Sequence, residues 1–186
     1  RLVILTGARI MTANGAIHER GYLIMAGGRI EALGPGDPPS TEGAHVIDAS
    51  SMVITPGLID THSHLGVYPA PSARAHSDGN EMSKPVTAEV WAEHAVWPQD
   101  PGFITALAGG VTSMQILPGS GNLIGGRGVT LKNVPGRNVM DMKFPGAPYG
   151  LKMACGENPK RFYGDQGKSP MTRMGNVAGY RTAWIQ

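Results

Sequence analysis

The chain changes its pattern near residue 52, and this change limits the folds that are open to it. Before that point, short apolar runs alternate with turns that contain glycine, such as Asn14-Gly15 and Gly27-Gly28. Turns of this kind join neighbouring antiparallel strands. Residues 1–52 are therefore expected to form a small all-β unit, whose sheet is too small to be stable alone and should pack on another element.

From residue 53 onward, predicted strands alternate with predicted helices. Strands are expected at Val53 to Asp60, 111–117, 128–132 and 149–155, and helices at Thr87 to Trp97, from Asp100-Pro101, at Asn158-Pro159 and from Ser169-Pro170 to the end. Asp or Ser followed by Pro is typical of a helix N-terminus. Such alternation is typical of a parallel α/β domain, which we assign to residues 53–186. No strand follows the last helix, so we expect the fold to continue past it.

The composition excludes several classes of function. The net charge of the 186 residues is only +2, which predicts neither a nucleic-acid partner nor a membrane-surface partner. No apolar stretch has the length of a membrane span. Cys155 is the single cysteine, so an internal disulfide is excluded, and we expect this side chain to be buried. The compartment stays open between cytoplasm and periplasm.

Two histidines follow the predicted buried strand directly. His62 and His64 are two residues apart, and in an extended backbone such residues point to the same side. Two imidazoles at one strand end suit a divalent metal ion. The alternatives are two polar side chains on an exposed strand face, or a chance pair in a loop. Pro56-Gly57 and Asp60, which flank the apolar run, favour the metal site.

Lys152 lies inside another apolar strand, where an unpaired ammonium group is costly. A buried lysine with a lowered pKa can act as a nucleophile, or it can capture carbon dioxide and become an anionic carbamate that bridges two metals. The alternative is a lysine that reaches solvent or pairs with an acid such as Glu157. The residues alone leave both possibilities open.

Two further residues are candidates for substrate contact. His76 lies in the polar loop 65–86, which should pass near the mouth of a site built on the His62 strand. Arg127 ends a glycine-rich segment that lacks the pattern of a phosphate-binding loop, and it could contact an anionic substrate group. For both residues, the alternative to substrate contact is packing within their loops. The remaining histidines, His18, His45 and His94, are expected at the surface.

Several of these segments together resemble a known superfamily. The run from Ile54 to His64 resembles the first-strand signature of the amidohydrolase superfamily, and the β region before it resembles the small β-sandwich of that superfamily. The segments 108–112, 121–126 and 150–161 resemble the branch related to imidazolonepropionase. The resemblance covers nearly the whole chain.

The resemblance implies the first half of a (β/α)8 TIM barrel, with a metal site at the carboxyl ends of the strands. His62 and His64 would be metal ligands, and Lys152 would be the catalytic lysine that is carboxylated and bridges two metals. The cofactor would be one or two divalent ions, with zinc as the first expectation. The later histidines of the superfamily, and the aspartate that serves as its general base, have no counterpart in this sequence.

The function expected from this resemblance is hydrolysis of a carbon–nitrogen bond by metal-activated hydroxide. The substrate would be an amide, a dipeptide or a cyclic amide, and the C-terminal half of the barrel, from the same gene or a second chain, would complete the site. One alternative is a non-catalytic half-chain that acts only by completing a partner polypeptide. Another is an amino-sugar deacetylase of the same superfamily. A homo-oligomer is compatible with each of these.

Overall fold

The computed structural model describes residues 1–185, which form two compact units. The first unit is Arg1–Pro56, and the second begins at Gly57. Among the described residues, no helix has the length and apolar character needed to cross a lipid bilayer.

The first unit is a five-stranded sheet. Its strands are β1 (Leu2–Met11), β2 (Ile17–Ala26), β3 (Arg29–Pro35), β4 (His45–Asp48) and β5 (Val53–Ile54). The order is β3-β2-β1-β4, and β5 also pairs with β1. Gly27 and Gly28 both have positive φ, which is the backbone that a tight two-residue hairpin turn between β2 and β3 requires. A small core forms around Ala8, Ile10 and Leu23.

The second unit contains a four-stranded mixed sheet with helices. The strands are β6 (Leu58–Ser63), β7 (Val111–Ile116), β8 (Ile124–Lys132) and β9 (Gly150–Met153), and the helices are α1 (Pro101–Ala108), α2 (Val139–Met142), α3 (Glu157–Gly164) and α4 (Arg173–Ile185). The strands lie in the order β6-β7-β8-β9. Strand β6 is parallel to β7, but β8 is antiparallel to both β7 and β9. The expectation of a purely parallel sheet was therefore wrong for β8.

The two faces of this sheet have different roles. Met114 and Ile116 of β7 and Val129 and Leu131 of β8 are fully or almost fully buried, and they pack with Phe103 of α1 in the main core. We call this side the packed face. Since side chains alternate along a strand, the residues between them point to the opposite side, which we call the site face.

Asp100 begins helix α1 as the sequence predicts. Its Oδ1 accepts a hydrogen bond from the backbone N–H of Gly102 at 2.8 Å, and Pro101 occupies the first turn. The same carboxylate also accepts from the N–H groups of Gly66 and Ala70, at 2.9 and 3.1 Å. One buried side chain therefore fixes both the helix start and the loop that follows β6.

The single strand expected from Val53 to Asp60 is divided in two. Val53–Ile54 pairs with β1 of the first unit, and the next strand begins at Leu58. Pro56 has no N–H to donate to a ladder, and a Cβ on Gly57 would overlap the side chain of Thr112. The strand was also expected to be buried, whereas Val53, Leu58 and Ile59 are largely exposed.

The helix expected from Thr87 to Trp97 is absent from the described structure. This segment holds only a short 3-10 turn, Ala92–His94, and two residues near it, Val86 and Trp91, bridge to β8. Thr87 is not a helix cap, because its buried hydroxyl donates to the carbonyl of Ile124 at 3.2 Å. Pairing with β8 therefore overrides the local helix preference.

Two smaller expectations also need correction. The last helix begins at Arg173 rather than after Ser169, because the hydroxyl of Thr172 accepts from the N–H of Gly175 at 3.1 Å and caps it. Its expected end at Gln186 lies outside the described residues. Cys155 is exposed, not buried.

Candidate metal centre

His62 lies near the carboxyl end of β6, on the site face. Its neighbour Ser63 is buried and pairs with Ile116 of the packed face, so the side chain of His62 points the other way. The backbone is held locally by Asp60, whose Oδ1 accepts from the His62 N–H at 3.0 Å. The pairing of β6 with β7 is irregular between Asp60 and Ser63, so the strand ends in a bulge beside the histidines.

His64 follows the strand and has a fixed tautomer. Its Nδ1 lies 2.8 Å from the carbonyl oxygen of Leu117. A carbonyl can only accept, so Nδ1 carries the proton and the lone pair of Nε2 stays free for a ligand. The rings of His62 and His64 lie edge to face, with centroids 5.2 Å apart.

Lys152 lies on β9 and reaches the same place. It pairs with Gly126 of β8, and it is only 8% exposed. Its Nζ lies 2.9 Å from Nε2 of His62, so the two nitrogen atoms share one hydrogen bond. Glu157, the acidic partner considered from the sequence, instead lies near Arg161 at 3.5 Å.

Burial and charge shift the pKa values of these groups. Burial lowers the pKa of Lys152 below its ordinary value. The positive charge of Lys152 is the main cause that lowers the pKa of His62, and burial and His64 add to it. Both shifts favour neutral nitrogen atoms, which are the forms that bind metal ions.

The arrangement fits part of a metal site. Nitrogen atoms of His62 and Lys152 meet, and His64 adjoins them with a free Nε2. Imidazole nitrogen is a common ligand of divalent ions such as zinc. However, residues 1–185 contain no group of three His, Cys, Asp or Glu side chains that could hold a metal ion. The described residues therefore offer two histidines and a lysine, and a complete site needs further ligands.

A cavity of about 410 Å³ opens beside His64. A cavity of this volume is sufficient for a small organic molecule. Its walls come from the loop after β6, the glycine-rich segment after β7, and helix α3, and they include Tyr68, Asn80, Ser120, Asn158 and Arg161. Asn158 donates to the hydroxyl of Ser120 at 2.5 Å, which joins α3 to the glycine-rich segment.

The structure does not bring the two substrate candidates into this cavity. His76 packs on the ring of Trp97, with centroids 4.6 Å apart. Arg127 lies over the ring of Trp91 at 4.6 Å. It pairs with Leu151 and shares the packed face with Val129, so it points away from the face that carries Lys152.

Sequence reasoning did not identify Tyr68 or Asn80. Tyr68 lies one turn after His64, and its N–H donates to the His64 carbonyl at 2.9 Å. The rings of the two residues lie edge to face, with centroids 5.7 Å apart. The spacing of four residues was visible in the sequence, but the contact with Asn80 depends on loop conformation.

No model of a known protein family matches the chain. Amidohydrolase tasK of Hapsidospora irregularis is 38% identical over 152 residues, which cover 77% of this chain and 16% of that protein. The 5-methylthioadenosine/S-adenosylhomocysteine deaminase of Symbiobacterium thermophilum is 30% identical over 122 residues, covering 61% of this chain and 27% of that enzyme.

A solved structure resembles almost the whole chain. The crystal structure of an amidohydrolase from Thermotoga maritima MSB8 matches with a TM-score of 0.85 and 36% identity, covering 98% of this chain and 46% of that one. This likeness confirms the predicted fold class, the first half of a barrel preceded by a strand-rich domain. The chain spans less than half the length of the Thermotoga protein, and a smaller share of the two curated relatives.

Proposed function

We propose that this chain, which belongs to the amidohydrolase superfamily, supplies part of the metal site of a hydrolase that acts on carbon–nitrogen bonds. The observation that supports this most directly is the 2.9 Å contact between Lys152 Nζ and His62 Nε2 at the edge where His64 presents a free Nε2. The names of two relatives, an amidohydrolase and a deaminase, agree with this type of reaction. The substrate class would be an amide, a dipeptide or a cyclic amide.

In this proposal, His62 and His64 hold a divalent metal ion, with zinc as the first choice. When bound, the ion would lower the pKa of a water ligand and polarise the substrate carbonyl. Leu117 would fix the ring orientation of His64 through its carbonyl, as second partners of metal-bound histidines commonly do. The other ligands and a general-base aspartate would come from the part of the full-length relatives that this chain does not span.

Lys152 has a second role in the proposal. Its lowered pKa makes the neutral amine accessible, and the amine nitrogen can form a bond to the carbon of carbon dioxide. One carbon–oxygen double bond opens and its electron pair moves to the oxygen, the nitrogen releases a proton to water, and the product is a carbamate with one negative charge. A carboxylate-like group beside His62 would add oxygen ligands where the described residues offer only nitrogen.

Metal analysis of the full-length protein tests this proposal. We expect one or two divalent ions per chain in the wild type and none after the double substitution His62→Ala and His64→Ala. His94→Ala is the matched control, because His94 is exposed on a 3-10 turn. Retention of stoichiometric metal by the double variant would contradict the proposal.

The carbamate needs its own measurement. Protein exchanged with ¹³C-bicarbonate should show a carbamate carbon signal by NMR, and the signal should be missing in Lys152→Met. If wild type and Lys152→Met give the same spectrum, Lys152 is not carboxylated. The metal measurement would still stand in that case.

A further inference from the structure

The hydrogen bonds around Asn80 determine which way the hydroxyl of Tyr68 points. The backbone N–H of Gly121 donates to Oδ1 of Asn80 at 3.2 Å. A backbone N–H can only donate, so this contact fixes the orientation of the Asn80 amide. The other end, Nδ2, therefore faces Tyr68 and donates a hydrogen bond to its hydroxyl oxygen.

The hydroxyl of Tyr68 thus accepts from Asn80, and its own hydrogen remains to be donated. In the described part of the chain, the structure gives this hydroxyl no further hydrogen-bond partner. Tyr68 and Asn80 both line the cavity beside His64. A donor without a protein partner, in a cavity that adjoins a proposed metal ligand, is available to a bound molecule.

Three glycines make room for this arrangement. A Cβ on Gly79 would overlap the ring of Tyr68, and a Cβ on Gly119 would lie 2.7 Å from its hydroxyl and overlap the amide of Asn80. A Cβ on Gly121 would overlap Met82. The N–H of Gly119 also donates to the carbonyl of Gly79 at 2.8 Å. Tyr68 and Asn80 are therefore held in place by two loops that approach each other closely.

We propose that Tyr68 is a substrate-binding residue whose O–H donates a hydrogen bond to a carbonyl or carboxylate oxygen of the substrate's acyl portion in the cavity beside His64. Asn80 is a positioning residue, because it turns the Tyr68 hydroxyl toward the ligand. This inference rests on the proposed function, since it assumes that the cavity receives the substrate of the metal site.

Two substitutions in the full-length, zinc-loaded protein separate this role from a structural one. Tyr68→Phe removes the donor but keeps the ring against His64. Asn80→Asp keeps the hydroxyl but reverses the hydrogen bond, because a carboxylate oxygen accepts from Tyr68 while the other still accepts from Gly121. The Tyr68 hydrogen would then point to Asp rather than to the cavity.

The probe is acetohydroxamate, a small metal-binding molecule with an acyl oxygen, and its dissociation constant is measured by calorimetry. Both single variants should bind it about tenfold more weakly, as the loss of one hydrogen bond predicts. The double variant should be no weaker than either single one, because both changes remove the same contact. Tyr163→Phe is the control: its buried hydroxyl donates to the Lys84 carbonyl at 2.7 Å, outside the cavity.

If Asn80→Asp binds acetohydroxamate with wild-type affinity, the inference is overturned, whether or not Tyr68→Phe binds it more weakly. The Tyr68 hydroxyl would then only stabilise the loop. A crystal structure of the wild-type complex with acetohydroxamate provides a second measurement that needs no variant. We expect a ligand oxygen within about 3 Å of the Tyr68 oxygen, and a longer separation would overturn the inference alone. A wild-type protein that holds no metal would instead overturn the proposed function, and this inference with it.

Discussion

Removal of the Asp100 carboxylate should destabilise the second unit strongly. Asp100 is 1% exposed and accepts three backbone hydrogen bonds, from Gly66, Ala70 and Gly102. Loss of a helix cap costs about 1 kcal/mol. Two further N–H groups would lose their acceptor, at about 1.5 kcal/mol each. The expected loss for Asp100→Ala is therefore about 4 kcal/mol, a large part of the stability of an ordinary domain.

Urea unfolding followed by tryptophan fluorescence measures this loss. Trp97 is a suitable reporter, because its backbone N–H donates to the carbonyl of Gly66, one of the residues that the Asp100 carboxylate holds, at 2.9 Å. Asp100→Asn should lose about half as much free energy, since an amide keeps one acceptor oxygen but presents a donor to another N–H. The urea concentration at the midpoint of unfolding should decrease in the order wild type, Asp100→Asn, Asp100→Ala.

A matched control separates the cap from the loop contacts. Asn138 caps the short helix α2 by accepting from Met140 and Asp141, and it is exposed. Asn138→Ala should therefore cost only about 1 kcal/mol. If Asp100→Ala were no more destabilising than Asn138→Ala, the contacts to the loop after β6 would contribute nothing, and the reasoning would be refuted.

Two other predictions concern the loops around the site. Burial alone would raise the pKa of Glu93, but hydrogen bonds from Lys143 and Tyr149 together hold this pKa below its ordinary value of 4.5. Glu93 should therefore stabilise the protein fully above about pH 5, and this effect should be lost as the pH falls below 4.5. The free energy of unfolding of wild type and Glu93→Gln, measured between pH 3 and 7, checks this. A difference between the two proteins that stays constant over this range would contradict the prediction. Gly119→Ala should lower stability by about 1–3 kcal/mol, because the new methyl group meets Asn80. Gly164→Ala in helix α3, where a Cβ would make only ordinary contacts of 3.5 Å or more, should change the melting temperature little, and equal effects of the two substitutions would contradict the packing argument.

Local signals in the sequence predicted local structure well. Asp100-Pro101 predicted the start of α1, and Gly27-Gly28 predicted the turn between β2 and β3, because each depends on a few adjacent residues. The segment from Thr87 to Trp97 misled the prediction, since its conformation is set by bridges to β8, more than thirty residues away. The antiparallel direction of β8 was missed for the same reason.

The same contrast between local signals and long-range contacts applies to the candidate site. The spacing of His62 and His64 predicted that they would share a strand end, and an apolar strand around Lys152 predicted its burial. The contact of Lys152 with His62 joins residues ninety positions apart, and only the superfamily resemblance suggested it. Asn80 could not be found, because its role depends on how two loops meet.

The separation of packing and chemistry onto opposite faces of one sheet has a consequence for how this unit can change over time. Along β7 and β8, alternate positions serve the core and the opposite face, which on β9 carries Lys152. Under the proposed function, point substitutions at Thr130 or Gln115, which pair on the site face, would alter specificity while Met114 and Leu131 keep the core intact. Insertions are different: one extra residue before Lys152 in β9 would turn its side chain to the opposite face, away from His62. Libraries for new activities should therefore vary alternate codons and keep the strand lengths fixed.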